Sequence, residues 1–359
     1  MKNTTILLSV LLLINFYSCK VPATITTKNT KNTADFTIAF GSCNKQYKPN
    51  ILWKEIKKNN PDVWIWGGDN IYSDTDDMAK MKRDYNALTQ QKGYAELTKN
   101  IPVLATWDDH DYGFNDSGVE FHKKDSAQTL FLDFFKVDKN SPRRKQEGIY
   151  TSKEFTTTKG LIKVIVLDTR YFRTALLRAT KESKKRYLPN TDVNSSVLGA
   201  AQWSWFQKEL NTSKADFNII VSSIQILSTE HGFETWGNFP NDVVKLKNSI
   251  INSEAKGVFM LSGDRHLSEF SKTTVENLNY PLIDFTSSGL THAYRSFVSE
   301  PNQFRVQNVV SEISFGLLQF NFDKKSVSMQ MRGENNKILQ EINQISGQNH
   351  TFIFNILSK

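Results

Sequence analysis

The stretch from Val63 to Asp74, "VWIWGGDNIYSD", carries an unbroken apolar run into a polar segment through a pair of glycines. A short run of this kind, dense in β-formers, predicts a strand buried on both faces, as in a parallel sheet covered by helices. In open α/β sheets, ligands bind outside the carboxyl ends of the strands, where side chains from distant segments converge. Asp69, and Tyr72 three residues later, stand at such an end. Carboxylate and phenolate are oxygen donors, and hard cations such as ferric iron favour both.

The same design recurs elsewhere. "IAFGSC" ends in Cys43, "VLATWDDHDYGFND" carries Asp108, Asp109, His110 and Asn115, and "FMLSGDRH" carries Asp264 and His266. Any one Asp is explained as a cap or turn residue, and any one His as a structural hydrogen-bonder. Apolar runs that repeatedly end in metal-capable side chains are a weaker fit to turn chemistry. Between them, helical spacing predicts helices over 51–62, over 78–100 with a break at Gly93, and over 125–137, 199–213 and 241–255. Strands are expected at 35–43, 217–227 and 257–262, with a hairpin in 148–170 and a run of short strands after Leu282. Strand and helix alternate, so the fold class is α/β, a mixed or parallel sheet covered by helices. Residues 301–359 form the edge of that sheet or a small appendage.

Donor chemistry narrows the metal. Thiolate, phenolate, imidazole and carboxylate together span soft to hard ligands, and ferric iron tolerates them all. The additional oxygen donors Asp108, Asp109, Asn115 and Asp264 exceed what one ion requires. They suit a second, hard cation such as calcium or magnesium, with Asp69 placed to bridge. Two adjacent cations suit phosphoryl displacement, clamping the phosphate oxygens and activating a hydroxide.

Composition sets the frame. The chain has 359 residues and a net charge of +8, with its basic residues scattered apart from "ESKKRY" at 182–187, which reads as a solvated loop. Nucleic acid is therefore not expected as a specific partner. The start, "MKNTTILLSVLLLINFYSC", has a basic end and an apolar core too short for a comfortable membrane span. Ending at Ser18-Cys19, it resembles a lipoprotein signal, with Cys19 as the lipidated residue; a plain secretory signal is the alternative. Residues 20–35 read as a flexible polar tether, and 36–359 as one domain. The chain holds 2 cysteines, so a lipidated Cys19 leaves Cys43 without a disulfide partner.

"FGSCNKQ" (40–46), "GGDNIYSD" (67–74), "WDDHDYGFND" (107–116) and "GDRH" (263–266) resemble the motifs of the PhoD-like (alkaline phosphatase D) metallophosphatases, in the family's order. The Asp69-x-x-Tyr72 spacing also resembles purple acid phosphatases. The resemblance implies a four-layer αββα metallophosphoesterase-like sandwich with mixed sheets. It also implies a ferric ion, one or two calcium ions, and hydrolysis of phosphate monoesters or diesters. By motif, Cys43, Tyr72 and His266 would be iron ligands, with Asp69 bridging to calcium. Asp264, Asn115 and one of Asp108 and Asp109 would complete the calcium side. His110 would stabilise the transition state or donate a proton, and Arg265 would touch phosphate. Asn70, and His231 and Trp236 from "SSIQILSTEHGFETWGNFP" (222–240), would face the substrate. His122, His292 and His350 lie outside the motifs and default to structural roles.

The expected function is thus a phosphohydrolase acting on organic phosphate esters at the cell envelope, lipid-anchored or secreted, and monomeric. Two other readings compete. A non-catalytic, surface-anchored binding lipoprotein on the same fold would be marked by loss of a metal ligand, and none is missing. A hydrolase using Cys43 as nucleophile is disfavoured, because the surrounding carboxylates would raise the thiol pKa.

Overall fold

In the computed structural model of the chain, residues 34–345 are described; Cys19 and the expected signal segment lie outside them. In chain order the elements are β1 Phe36–Gly41, α1 Trp53–Lys57, β2 Val63–Gly67, α2 Met78–Gln90, α3 Lys92–Thr98, β3 Val103–Thr106, α4 Asp109–Tyr112 and α5 Lys124–Phe134. Then come β4 Thr151–Thr156, β5 Leu161–Val166, β6 Leu177–Arg178, β7 Tyr187–Leu188, α6 Gly199–Asn211, β8 Phe217–Val221, α7 Pro240–Ile251 and β9 Val258–Ser262. β10 Ser268–Thr273, β11 Leu282–Ser287, β12 Arg305–Val310, β13 Phe315–Asn321, β14 Ser326–Arg332 and β15 Ile338–Ile345 follow.

Two mixed sheets carry the fold. The first runs β15-β14-β13-β1-β2-β3 and the second β12-β10-β11-β9-β8-β5-β4. Their centres are parallel, β1 with β2 and β3 in one, β5, β8, β9 and β11 in the other. The opening stretch shows how the layers arise. Val63 and Ile65 point into the core between the sheets, beside Phe40, Val164 and Leu261. Trp64 and Trp66 point the other way, into a core shared with α1, α2, α3 and α5. This is the two-residue period of a strand, with both faces apolar because both are covered. In the second sheet, Phe217 and Ile219 face inward while Ile220 and Met260 meet Trp203, Phe206 and Leu246 of α6 and α7. The result is the αββα sandwich.

Some expectations shift in detail. The helix expected over 51–62 is confined to Trp53–Lys57. The break in 78–100 falls at Gln91, with φ −68° and ψ 107°, and not at Gly93. Gly93 serves close packing instead, since a Cβ there would lie 2.6 Å from the Cβ of Trp53. The loop after β3 opens with a one-turn helix, α4, whose N-terminus is closed by a reciprocal Asp108–Asp111 capping box. The late strands are no appendage, because β13 pairs directly with β1.

The parallel strands of both sheets deliver their carboxyl ends to one place. Ser42, just past β1, forms a parallel bridge with Ser288, just past β11, so the two sheets touch there. No helix of the described residues is long and apolar enough to cross a membrane.

Candidate metal centre

Four strand ends supply the centre, and three of them, after β1, β2 and β9, do so through unusual backbone. Cys43 (φ 61°), Asp69 (φ 49°), Asp264 (φ 70°) and His266 (φ 55°) all adopt the left-handed region. Non-glycine residues seldom do, and such strain gathers where a side chain must be aimed. Gly68, at φ 95°, precedes Asp69; a Cβ there would sit 2.7 Å from Asp108 Cβ and 2.8 Å from Ser223 Cβ. Only glycine lets the β2 end approach β3 and β8 this closely.

These turns bring Cys43, Asp69, Tyr72 and His266 into mutual contact. The Tyr72 hydroxyl is 3.0 Å from Asp69 Oδ2 and 2.8 Å from His266 Nε2. The Cys43 thiol lies 3.3 Å from the same Asp69 oxygen. Gln46 holds Tyr72 from both sides, accepting from its N–H at 2.8 Å and donating to its carbonyl at 3.1 Å. Asp69 also belongs to a second group with Asp109 and His110. His110 Nδ1 is 2.6 Å from Asp74 Oδ1, and its ring stacks on Tyr72 at 4.2 Å.

The structure separates Asp108 from Asp109. Asp108 is turned inward, with Oδ1 accepting from Arg170 Nε and Ser223 Oγ, both at 2.6 Å. Asp109 lines a cavity of about 510 Å³ together with His110, Asn115, Asp264, Arg265 and His266. Arg265 is tied by its Nη2 to Glu300 at 2.6 Å. Asn70 stays beneath the site, its amide donating to Asp111 at 2.6 Å and to the Thr106 carbonyl at 2.9 Å. Neither His231 nor Trp236 lines the cavity. Trp236 is fully buried against Trp203 and donates to Ser222 at 3.1 Å, so its expected place beside the substrate is not where the structure puts it. His231 is buried too, accepting from the Phe233 N–H at Nδ1 over 3.3 Å.

The donor set fits a metal. Asp69 is 1% exposed, yet its Oδ1 has no hydrogen-bond partner. Burial, with neighbouring Asp264 adding to it, pushes the Cys43 thiol up to about 11. Burial and then the Cys43 charge drive Asp69 well above the carboxylate range, and burial with Asp69 does the same to the Tyr72 phenol. Anionic donors crowded with too little positive charge among them form a site that a cation completes. Burial opposes charge on His110, but Asp69, Asp109 and Asp74 outweigh it and raise the imidazole to about 11. Burial lowers His266 to about 4, which keeps it neutral, the form that binds metal.

The sequence profile of PhoD-like phosphatases matches residues 38–337. The chain belongs to the PhoD-like phosphatase family. Among curated proteins it is similar to alkaline phosphatase D of Bacillus subtilis (strain 168), at 25% identity over 287 residues. That match covers 68% of this chain and 48% of the relative, so the chain spans about half the length of that protein. Of solved structures, that of PhoD superposes with a TM-score of 0.67 at 19% identity, covering 88% of this chain and 72% of the other. A purple acid phosphatase from yellow lupin (Lupinus luteus) seeds gives 0.61 at 13% identity, covering 88% and 54%. A dimetal phosphatase from Danio rerio gives 0.52 at 12% identity, covering 86% and 98%. These likenesses establish the sandwich fold for this member of the family.

Several further residues stand around this candidate centre. Arg170 and Arg173 both reach Glu234, at 2.7 and 2.9 Å, with no exposure of either arginine side chain. The signal was present, because "LIKVIVLDTR" is another apolar run ending in polar groups. His292, read as structural, sits 4.3 Å from the His266 ring and 5.2 Å from the Tyr72 ring. Asp74 had no mark beyond its place in "GGDNIYSD".

Proposed function

We propose that this chain is a metal-dependent phosphoesterase that hydrolyses organic phosphate esters outside the cytoplasm, held at the cell envelope by lipid on Cys19. The observation that carries the reading is the convergence of Cys43, Asp69, Tyr72 and His266, three of them on left-handed backbone. Cys43, Tyr72, His266 and Asp69 would hold a ferric ion, and Asp69, Asp109, Asn115 and Asp264 one or two calcium ions. When bound, such ions clamp phosphate oxygens and lower the pKa of an attacking water.

The chain's own groups do the rest. Asp74 accepts from His110 Nδ1, so the imidazole is oriented and its other nitrogen is free to donate. Lining the cavity with a proton held by three carboxylates, His110 is placed to stabilise a developing oxyanion and to protonate the departing oxygen. Arg265 flanks the same space as a fixed positive group, its orientation set by Glu300. Stacking on His110 stiffens the Tyr72 ring between the two clusters.

The test is metal analysis of the monomeric chain starting at Lys20, with its visible spectrum and turnover of phosphate mono- and diesters. Iron near one per chain with a tyrosinate charge-transfer band, and ester turnover lost on chelation, would support this reading. Zinc alone, or no metal and no band, would sink the ligand assignment.

A further inference from the structure

The floor of the cavity is polar and acidic, but its outer wall is different. Phe233 and Tyr294 line it while remaining 40% and 38% exposed. Singly exposed rings are ordinary, but two of them lining one cavity beside convergent polar groups have the make-up of a small-molecule site. Both are fixed. The Arg265 guanidinium lies over the Phe233 ring at 4.3 Å, and the Phe233 N–H is bonded to His231 at 3.3 Å. The Tyr294 N–H donates to the His266 carbonyl at 2.6 Å, which ties this residue's backbone to that of a candidate metal ligand.

The charges of the wall argue against a second anionic group on the substrate. Its cations are Arg186 and Arg265, with His110 on the floor held by Asp74, and each already has a carboxylate. Arg186 pairs with Asp116 at 3.0 Å and Arg265 with Glu300 at 2.6 Å. A wall with its positive charge neutralised and two rings open suits a flat, uncharged group. The cavity, about 510 Å³, is of the size that holds a whole small molecule and not a bare phosphate.

We propose that Phe233 and Tyr294 select phosphate esters whose leaving group carries a neutral, flat ring, as in a nucleoside or an arylmethyl alcohol. The proposal rests on the phosphoesterase reading above. Water adds to phosphorus, the P–O bond to the leaving group breaks, and that oxygen takes a proton. The products are phosphate and the free alcohol.

The experiment compares kcat/KM of the full metal-loaded chain for adenosine 5′-monophosphate and ribose 5-phosphate, which release the same kind of primary alcohol with and without a base. The nucleotide should be favoured at least about fivefold, the low end of one base stacked on an aromatic side chain. Phe233→Ala and Tyr294→Ala should each pull that ratio toward one, chiefly through KM, while Phe233→Trp should keep or raise it. Benzyl phosphate separates the sources: if it is favoured equally, any flat ring suffices, and if not, the base is the preferred ligand. Equal use of nucleotide and ribose phosphate overturns the proposal and leaves the phosphoesterase intact. Absence of turnover with every ester overturns both.

Discussion

Arg170 and Asp108 form an ion pair closed off from solvent on both sides, with Nη2 2.5 Å from Oδ1 and neither side chain exposed. The pair turns Asp108 away from the cavity and so leaves Asp109 as the carboxylate facing it. Its arginine also neutralises Glu234. Arg170→Met would strand Asp108 and leave Glu234 to Arg173 alone, at a cost of about 3–5 kcal/mol. Urea unfolding should show a midpoint lowered accordingly. Arg170→Lys should recover only part, because an ammonium cannot fork between two carboxylates. A midpoint unchanged in Arg170→Met would show that the pair is not holding the loop.

On the proposed ligand set, Cys43→Ala should remove iron and ester turnover while the chain stays folded, since the side chain is small and fully buried and alanine leaves little void. Tyr72→Phe should abolish the charge-transfer band. The checks are metal content per chain, circular dichroism and the visible spectrum. Iron retained at wild-type level in Cys43→Ala would remove this residue from the ligand set.

Gly263 probes the seam between the sheets. A Cβ there would lie 2.5 Å from the Gly67 carbonyl and 2.5 Å from Ser42 Oγ, immediately before Asp264. Gly263→Ala should cost about 1–3 kcal/mol by overpacking, and it should lower bound metal as well. Gly289→Ala is the control, since its nearest neighbour would be Glu312 O at 3.5 Å, an ordinary contact. Thermal unfolding and metal content of the two variants decide the matter; equal behaviour would refute the steric reading.

His231 predicts an acid limb of stability away from the centre. Burial first, then the charges of Arg265, Lys185 and Arg305, lower its pKa from 6.5 to about 2. The native state keeps it neutral, while the unfolded chain binds a proton below about 6.5, so stability is present above that pH and is lost as pH falls toward 2. Near pH 4.5 the loss is on the order of 2–3 kcal/mol. His231→Gln, which can still accept from the Phe233 N–H, should flatten this limb. Urea titrations at pH 7 and pH 4.5 measure it, and an unchanged slope in the variant would assign the acid loss elsewhere.

The convergence of the candidate centre was legible because its side chains lie at the ends of apolar runs, as with Cys43, Asp69, Tyr72, Asp264 and His266. Local pattern could not decide between Asp108 and Asp109, because adjacent loop residues can face opposite ways. The choice is made by Arg170, distant in sequence and adjacent in space. Trp236 misled for a related reason. The resemblance of 222–240 to the family's substrate-side loop put this indole on the cleft wall, yet here it plugs the core under α6 and leaves the wall to Phe233. Gly93 punctuated a helix in the sequence, but the structure uses its lack of a side chain for contact with Trp53.

The bridge between Ser42 and Ser288 marks where the two sheets are fastened, and the donors are shared out across that line. Cys43, Asp69 and Asp109 descend from β1, β2 and β3, while Asp264 and His266 follow β9. A cation held among them is therefore a rivet through both halves of the sandwich. Occupancy and mechanical cohesion become one quantity, so the melting temperature of this protein should climb with metal concentration.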